Sequence, residues 1–134
     1  MFRFLAVIAA TVLLSGCSDP NRGSPGGTGP GSTAAEFAQA VASSDGRLAC
    51  TLLSAQVSSA IADSRGMPCP AAVLKAGLPA PSAVREVRRY GRQAFVTTGT
   101  DTVFLSEFPG GWKIIGAGCS PRGDKPYDCA VSGG

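Results

Sequence analysis

Five cysteines and no histidine limit the chemistry available to this chain of 134 residues. Cys17 directly follows an apolar stretch, whereas Cys50, Cys69, Cys119 and Cys129 form an even set in the rest of the chain. An even set of cysteines is typical of exported domains that are cross-linked by disulfides. Histidine is the commonest general base and the commonest neutral metal ligand, so its absence disfavours both roles. The cysteines therefore favour covalent cross-linking over catalysis.

The spacing of the reactive residues matches neither a metal site nor a catalytic nucleophile. Zinc sites use closely spaced cysteine pairs, usually with histidine, whereas nine residues separate Cys119 from Cys129. The chain contains no G-x-S-x-G elbow and no glycine-rich phosphate loop between a strand and a helix. Four carboxylates in the C-terminal part could only form a hydrolase-like pair if the fold brought two together. These are Asp101, Glu107, Asp124 and Asp128. We therefore expect no catalytic residue, no metal and no cofactor.

The first seventeen residues have the layout of an export signal. Arg3 supplies a positive charge, and residues 4–14 are apolar or small. As a helix they would span roughly 16 Å, which is well short of the roughly 30 Å core of a bilayer. Leu14-Ser15-Gly16-Cys17 resembles the lipobox of bacterial lipoproteins. The resemblance implies cleavage between Gly16 and Cys17 and attachment of a diacylglyceryl group to the Cys17 thiol. The alternative is an ordinary secretory signal that is followed by a chance cysteine.

Composition divides the rest of the chain into a tether and a domain. Residues 18–32 are rich in Gly and Pro and contain no large apolar side chain. Such a segment cannot offset its chain entropy by burying surface, which predicts a flexible tether of about 20 Å average length. We therefore expect a signal peptide at 1–16, the lipidated cysteine and tether at 17–32, and one α+β domain at 33–134. About a hundred residues suffice for a single small core.

Three short helices are predicted at the start of the domain. Thr33 and Glu36 have the spacing of a capping box, which favours a helix that begins directly after Thr33. Apolar residues then recur at intervals of three and four, as one face of a longer helix requires. The helices are expected over residues 34–42, 47–64 and 71–76.

Beyond Pro81 the pattern changes to β-branched and aromatic residues that are interrupted by turn signals. Phe108-Pro109-Gly110-Gly111-Trp112 predicts a hairpin. The short connections imply an antiparallel meander, because parallel crossovers need a dozen or more residues. Strands are expected over residues 83–90, 92–98, 101–108, 111–119 and 127–131. The predicted fold is therefore α+β, with N-terminal helices packed on a curved antiparallel sheet of four to five strands.

Two disulfides are favoured because each joins cysteines of one structural neighbourhood. Cys50 and Cys69 would connect the second and third helices, and Cys119 and Cys129 would hold the last strand against its neighbour. In the chain-entropy account the first bridge would stabilise the domain by about 3 kcal/mol and the second by somewhat less. The alternatives are the two crossed pairings, or free buried thiols at Cys50 and Cys69.

The charged and aromatic residues indicate few classes of binding partner. A net charge of +3 is too small to indicate a nucleic-acid-binding protein. One local cluster of arginines could receive an anionic headgroup or a cell-wall polymer, or could simply be a solvated strand face. Trp112 could stack on a ligand, although a tryptophan at the start of a strand is more often a core residue. The arginine cluster consists of Arg85, Arg88, Arg89 and Arg92.

The order of helices followed by an antiparallel sheet resembles the cystatin-like and NTF2-like folds. The stretch from Thr102 to Cys119, followed by Pro126-Tyr127-Asp128-Cys129, is similar to small cysteine-paired lipoproteins of actinobacteria whose function is uncharacterised. The resemblance covers residues 33–134 and implies a fold and two disulfides. It implies no activity, because enzymatic NTF2-like proteins use a histidine that this chain lacks.

These observations predict a non-catalytic accessory or interaction module, lipid-anchored through Cys17 at the extracytoplasmic face of the cell membrane. The expected partners are the membrane itself and an unidentified envelope protein, with no nucleic acid. One alternative is a protein that binds a small apolar ligand between sheet and helices. The other is a hydrolase that uses carboxylates.

Overall fold

Four helices precede five strands in the computed structural model, which describes residues 29–133. The helices are short, and side chains cap α2 and α3, whereas burial alternates along β2 and most of β4. The helices are α1 (Pro30–Ala42), α2 (Gly46–Leu52), α3 (Ala55–Arg65) and α4 (Cys69–Leu74). The strands are β1 (Val84–Tyr90), β2 (Gln93–Thr98), β3 (Thr102–Phe108), β4 (Gly111–Arg122) and β5 (Lys125–Ser132). The predicted α+β class is therefore confirmed.

The five strands form one antiparallel sheet in sequence order, with β1 and β5 at its edges. The last hairpin is longer than the sequence indicates, because β4 continues to Arg122 and β5 already begins at Lys125. Gly123 adopts a φ of 67° between them, a conformation that glycine tolerates best. This tight turn lets the ladder continue past Cys119 and Cys129, where a loop was predicted.

The predicted second helix is two helices, α2 and α3, separated at Leu53 and Ser54. Leu53 is extended and forms a parallel bridge with Ile114 of β4, and the Ser54 amide donates to the Ile114 carbonyl at 2.9 Å. The Ser54 hydroxyl then caps α3 by accepting from the Val57 amide at 3.3 Å. The contact with β4 is distant in sequence, so the uninterrupted apolar periodicity did not predict the break.

Helix α1 begins at Pro30, four residues earlier than expected. Its N-cap is Gly29, and the Thr33 hydroxyl donates to the Gly29 carbonyl at 3.0 Å instead of capping the helix. The predicted capping box is therefore wrong. Proline at the first helical position is already fixed near helical φ and needs no amide partner, which favours this start. Three residues assigned to the tether belong to the first turn of α1.

The hydrophobic core lies between the helices and one face of the sheet. Val57 of α3 and Val73 of α4 pack there with Val96, Leu105 and Ile114 of the central strands, all of them almost fully buried. Positions that alternate with these along β2 and β3 are half-buried or exposed. The alternation gives the sheet a second face that is open, and its centre carries Phe95 and Phe104.

Both disulfides favoured by the sequence are present. Cys50 of α2 bonds to Cys69 at the start of α4, with a Cα–Cα distance of 6.2 Å. Cys119 and Cys129 are directly opposite each other in the β4–β5 ladder. The first bridge therefore cross-links the helical layer and the second joins the edge strand β5 to the sheet.

Candidate functional site

The proposed cleavage and acylation site, Gly16 and Cys17, lies outside the residues that the structure describes. The structure does describe the other four cysteines. Two disulfides occupy Cys50, Cys69, Cys119 and Cys129. Each bridge joins packed elements, so these four cysteines have structural roles.

The arginines of β1 and its turn do not form one patch. Successive residues of a strand point to opposite faces, which separates Arg88 from Arg89. Arg88 is paired with Phe95 on the open face, whereas Arg89 is paired with the buried Ala94. Arg85 lies beside the β2–β3 turn at Gly99, at the far end of the strand from Arg92. The sequence cluster is therefore distributed over two faces and two ends.

Arg88 is held on the open face of the sheet. Its Nε donates to Glu86 Oε1 at 2.6 Å, and its guanidinium lies 5.8 Å from the centre of the Phe95 ring. The hydrogen bond with Glu86, followed by that with Tyr90, raises the pKa of the Arg88 guanidinium above its ordinary value. Both partners of the ion pair are about half exposed, so the pair adds little to stability.

A row of aromatic rings crosses the open face, a feature that the sequence analysis missed. Tyr90 stacks on Phe95 at 5.8 Å between ring centres, Phe95 packs on Phe104 at 6.2 Å, and Phe104 meets Tyr127 edge-on at 5.1 Å. Spacing along the chain could have identified Phe95 and Phe104 as neighbours only once the β2–β3 register was known. The rings pack on one another and shield the centre of this face.

Trp112 is mainly a core residue, as the commoner of the two alternatives predicts. Only 7% of its surface is exposed, and it belongs to the hydrophobic core. The Arg89 guanidinium lies 5.0 Å from its ring centre, a cation–π distance, and also 3.7 Å from Glu107. Gly29, at the start of α1, lines the same concavity as these three side chains. This places the beginning of the described chain beside Trp112.

Two of the four candidate carboxylates, Asp101 and Glu107, serve separate structural purposes. Asp101 accepts from the Thr98 hydroxyl at 2.7 Å and from the Gly118 amide at 2.9 Å, which holds the β2–β3 turn against β4. Glu107 pairs with Arg89 near the other end of β3. Five residues of strand separate Asp101 from Glu107, so they do not form a catalytic pair.

The cleft lined by Phe37, Leu78 and Val103 is small. It has a volume of about 40 Å³ and lies between α1, the segment before β1 and the start of β3. Small-molecule sites usually have volumes of about 300–1,000 Å³, whereas this cleft has room for a few waters. The cleft offers no support for an apolar-ligand protein.

Residues 29–133 contain neither a candidate metal site nor a candidate membrane-spanning helix. Within this range, no three side chains of the Cys, Asp or Glu type come together in a way that could hold a metal ion. None of the helices in the same range is long and apolar enough to cross a bilayer.

The chain was also compared with known proteins. No protein-family model, no curated protein and no solved structure matches it. Function must therefore be inferred from the residues and from the geometry described above.

Proposed function

We propose that this protein is a lipid-anchored extracytoplasmic lipoprotein whose α+β domain serves as a non-catalytic accessory or interaction module at the cell envelope. The observation that carries the proposal is the apolar segment followed by Leu14-Ser15-Gly16-Cys17. The disulfides support it, because they use the four other cysteines and leave the Cys17 thiol for acylation. Disulfides also persist best in an exported protein.

The finer assignment of the domain belongs to the same proposal. Helices followed by a five-stranded antiparallel meander agree with an NTF2-like or cystatin-like fold. The paired cysteines agree with kinship to the small actinobacterial lipoproteins of uncharacterised function. Neither fold resemblance brings a catalytic residue, because the chain has no histidine and its two strand-flanking carboxylates are engaged in structural contacts.

The test is to replace Cys17→Ser in the full chain expressed in a bacterial host that processes lipoproteins. The thioether to diacylglycerol cannot form on a serine, so we expect the variant to leave the membrane fraction or to accumulate as unprocessed precursor. Mass spectrometry of the N-terminal peptide should find the lipid on Cys17 in the wild-type protein only.

Ser18→Ala is the matched control, because it changes a neighbouring small residue and leaves the acceptor thiol in place. This control should fractionate with the membrane like the wild type. If Cys17→Ser fractionated and migrated like the wild type, the proposal would be wrong.

A further inference from the structure

Two turns of the sheet and the start of α1 meet at one end of the domain, which we call the Gly29 end. In an antiparallel meander the β1–β2 turn and the β3–β4 turn lie at the same end of the sheet. The Glu107 amide donates to the Arg92 carbonyl at 2.7 Å and joins the two turns. Gly29 lines a concavity with Phe108 of the second turn. The chain that leads to Cys17 therefore departs from this end.

Exposed apolar side chains are concentrated near the same place. Five large hydrophobic residues are exposed within the described range, and three of them belong to β1 or to the end of β3. Tyr90 is 61% exposed and Phe108 is 42% exposed, each beside a turn of the Gly29 end. Val87 is packed against the first turn of α1 at Gly31. Rings with this exposure at a chain's point of attachment are suited to a membrane interface, where aromatic residues are enriched.

Two arginines lie at the same end of the domain as these rings. Arg89 and Arg92 lie in or beside the β1–β2 hairpin, and neither of the two ion pairs within residues 29–133 includes Arg92. Arg89 reaches only one carboxylate, Glu107, at 3.7 Å and with both side chains about half exposed. Guanidinium groups donate forked hydrogen bonds that match phosphate oxygens. The charge of these arginines therefore complements an anionic lipid headgroup.

We propose that the Gly29 end is a docking surface for a bilayer that carries anionic headgroups. Tyr90 and Phe108 enter the interface, and Arg92 with Arg89 meets the phosphates. The inference rests on the proposed lipid anchor and on the tether expected from composition, since a flexible chain from Cys17 to Gly29 would have an average end-to-end distance of about 20 Å. Such tethering raises the effective concentration of the second contact, so a weak docking surface suffices.

The experiment uses Trp112, the only tryptophan of the chain, as a reporter at the Gly29 end. Acylated full-length protein is reconstituted in vesicles that contain a lipid with a nitroxide on its headgroup. The vesicles are made of phosphatidylcholine, either alone or with about 30% phosphatidylglycerol. We expect Trp112 to be quenched in the mixed vesicles, and the quenching to weaken without phosphatidylglycerol and at high salt.

The test variant is Tyr90→Ser with Phe108→Ser, which should lose most of the quenching while the protein stays anchored. The matched control is Leu74→Ser with Tyr127→Ser, because these exposed large hydrophobic residues belong to α4 and β5 and not to β1 or the end of β3. The control should be quenched like the wild type. Thermal unfolding of both variants shows that a loss of quenching does not come from a loss of the fold.

The outcomes separate this inference from the anchor itself. If the protein carries lipid on Cys17 and Trp112 is not quenched in either vesicle, the docking surface is wrong and the anchor stands. Equal quenching in both vesicle types, or equal loss in both double variants, also overturns the docking surface. If Cys17 carries no lipid, the anchor and the inference fall together.

Discussion

At the scale of single residues, Gly46 shows how closely α2 approaches α4. A Cβ atom at this position would overlap the backbone carbonyl of Pro70, which cannot move aside as a flexible side chain would. Gly46 is also buried as the first residue of α2, the helix that contains Cys50, and the neighbouring α4 contains its disulfide partner Cys69. A methyl group therefore has to displace one helix from the other.

We predict that Gly46→Ala destabilises the domain by about 1–3 kcal/mol, the usual cost of overpacking. The measurement is urea or thermal unfolding with the disulfides intact. Gly110→Ala is the matched control, since a Cβ atom at Gly110 would contact nothing within 4 Å. An equal loss of stability in the two variants would contradict the account of helix approach.

At the scale of elements, the two disulfides restrain different parts of the molecule. The bridge between Cys50 and Cys69 spans 19 positions and cross-links two helices of six and seven residues, which are too short to be stable alone. The bridge between Cys119 and Cys129 spans 10 positions within a hairpin that already has a backbone ladder. The helical layer therefore depends more on its bridge than the hairpin does.

Removing the helical bridge by Cys50→Ala with Cys69→Ala should cost about 3 kcal/mol. Removing the hairpin bridge by Cys119→Ala with Cys129→Ala should cost about 0.5 kcal/mol less, because the shorter loop restricts the unfolded chain less. Chemical unfolding of the two double variants under one set of conditions tests the order. A larger loss for the hairpin pair would contradict it.

At the scale of the whole molecule, the sheet has two free edges, and β1 is one of them. Six of its seven residues are exposed, and three are arginines. Exposed edge strands tend to pair with other chains, and charged side chains on the edge oppose this association. The arginines of β1 therefore keep the domain from associating through this edge, whatever they contact at the Gly29 end.

We expect Arg85→Thr with Arg88→Thr to cause concentration-dependent self-association, since threonine favours strand pairing and carries no charge. Sedimentation velocity over a range of concentrations measures it. Arg47→Thr with Arg65→Thr removes the same charge from α2 and α3. This control should self-associate no more than the wild type. If both variants associated equally, loss of net charge and not the sheet edge would be responsible.

Local sequence patterns determined much of the sheet and both disulfides of this protein. Alternating β-branched and aromatic residues with Gly and Pro turns located the five strands to within a few residues, because strand alternation and turn geometry are local properties. Proximity along the chain also identified both disulfides. The sequence alone likewise supplies the basis for the proposed anchor at Cys17, a chemical pattern that requires no fold to be recognised.

Contacts between distant residues decided the rest. The bridge of Leu53 to Ile114 divides one apolar stripe into two helices. Strand register likewise assembles the aromatic row, and the position of α1 brings Gly29 beside Trp112 and Phe108. The helix break and the position of Gly29 depend on contacts between residues that lie far apart in the chain, and the aromatic row depends on strand register, so residue spacing alone does not predict them.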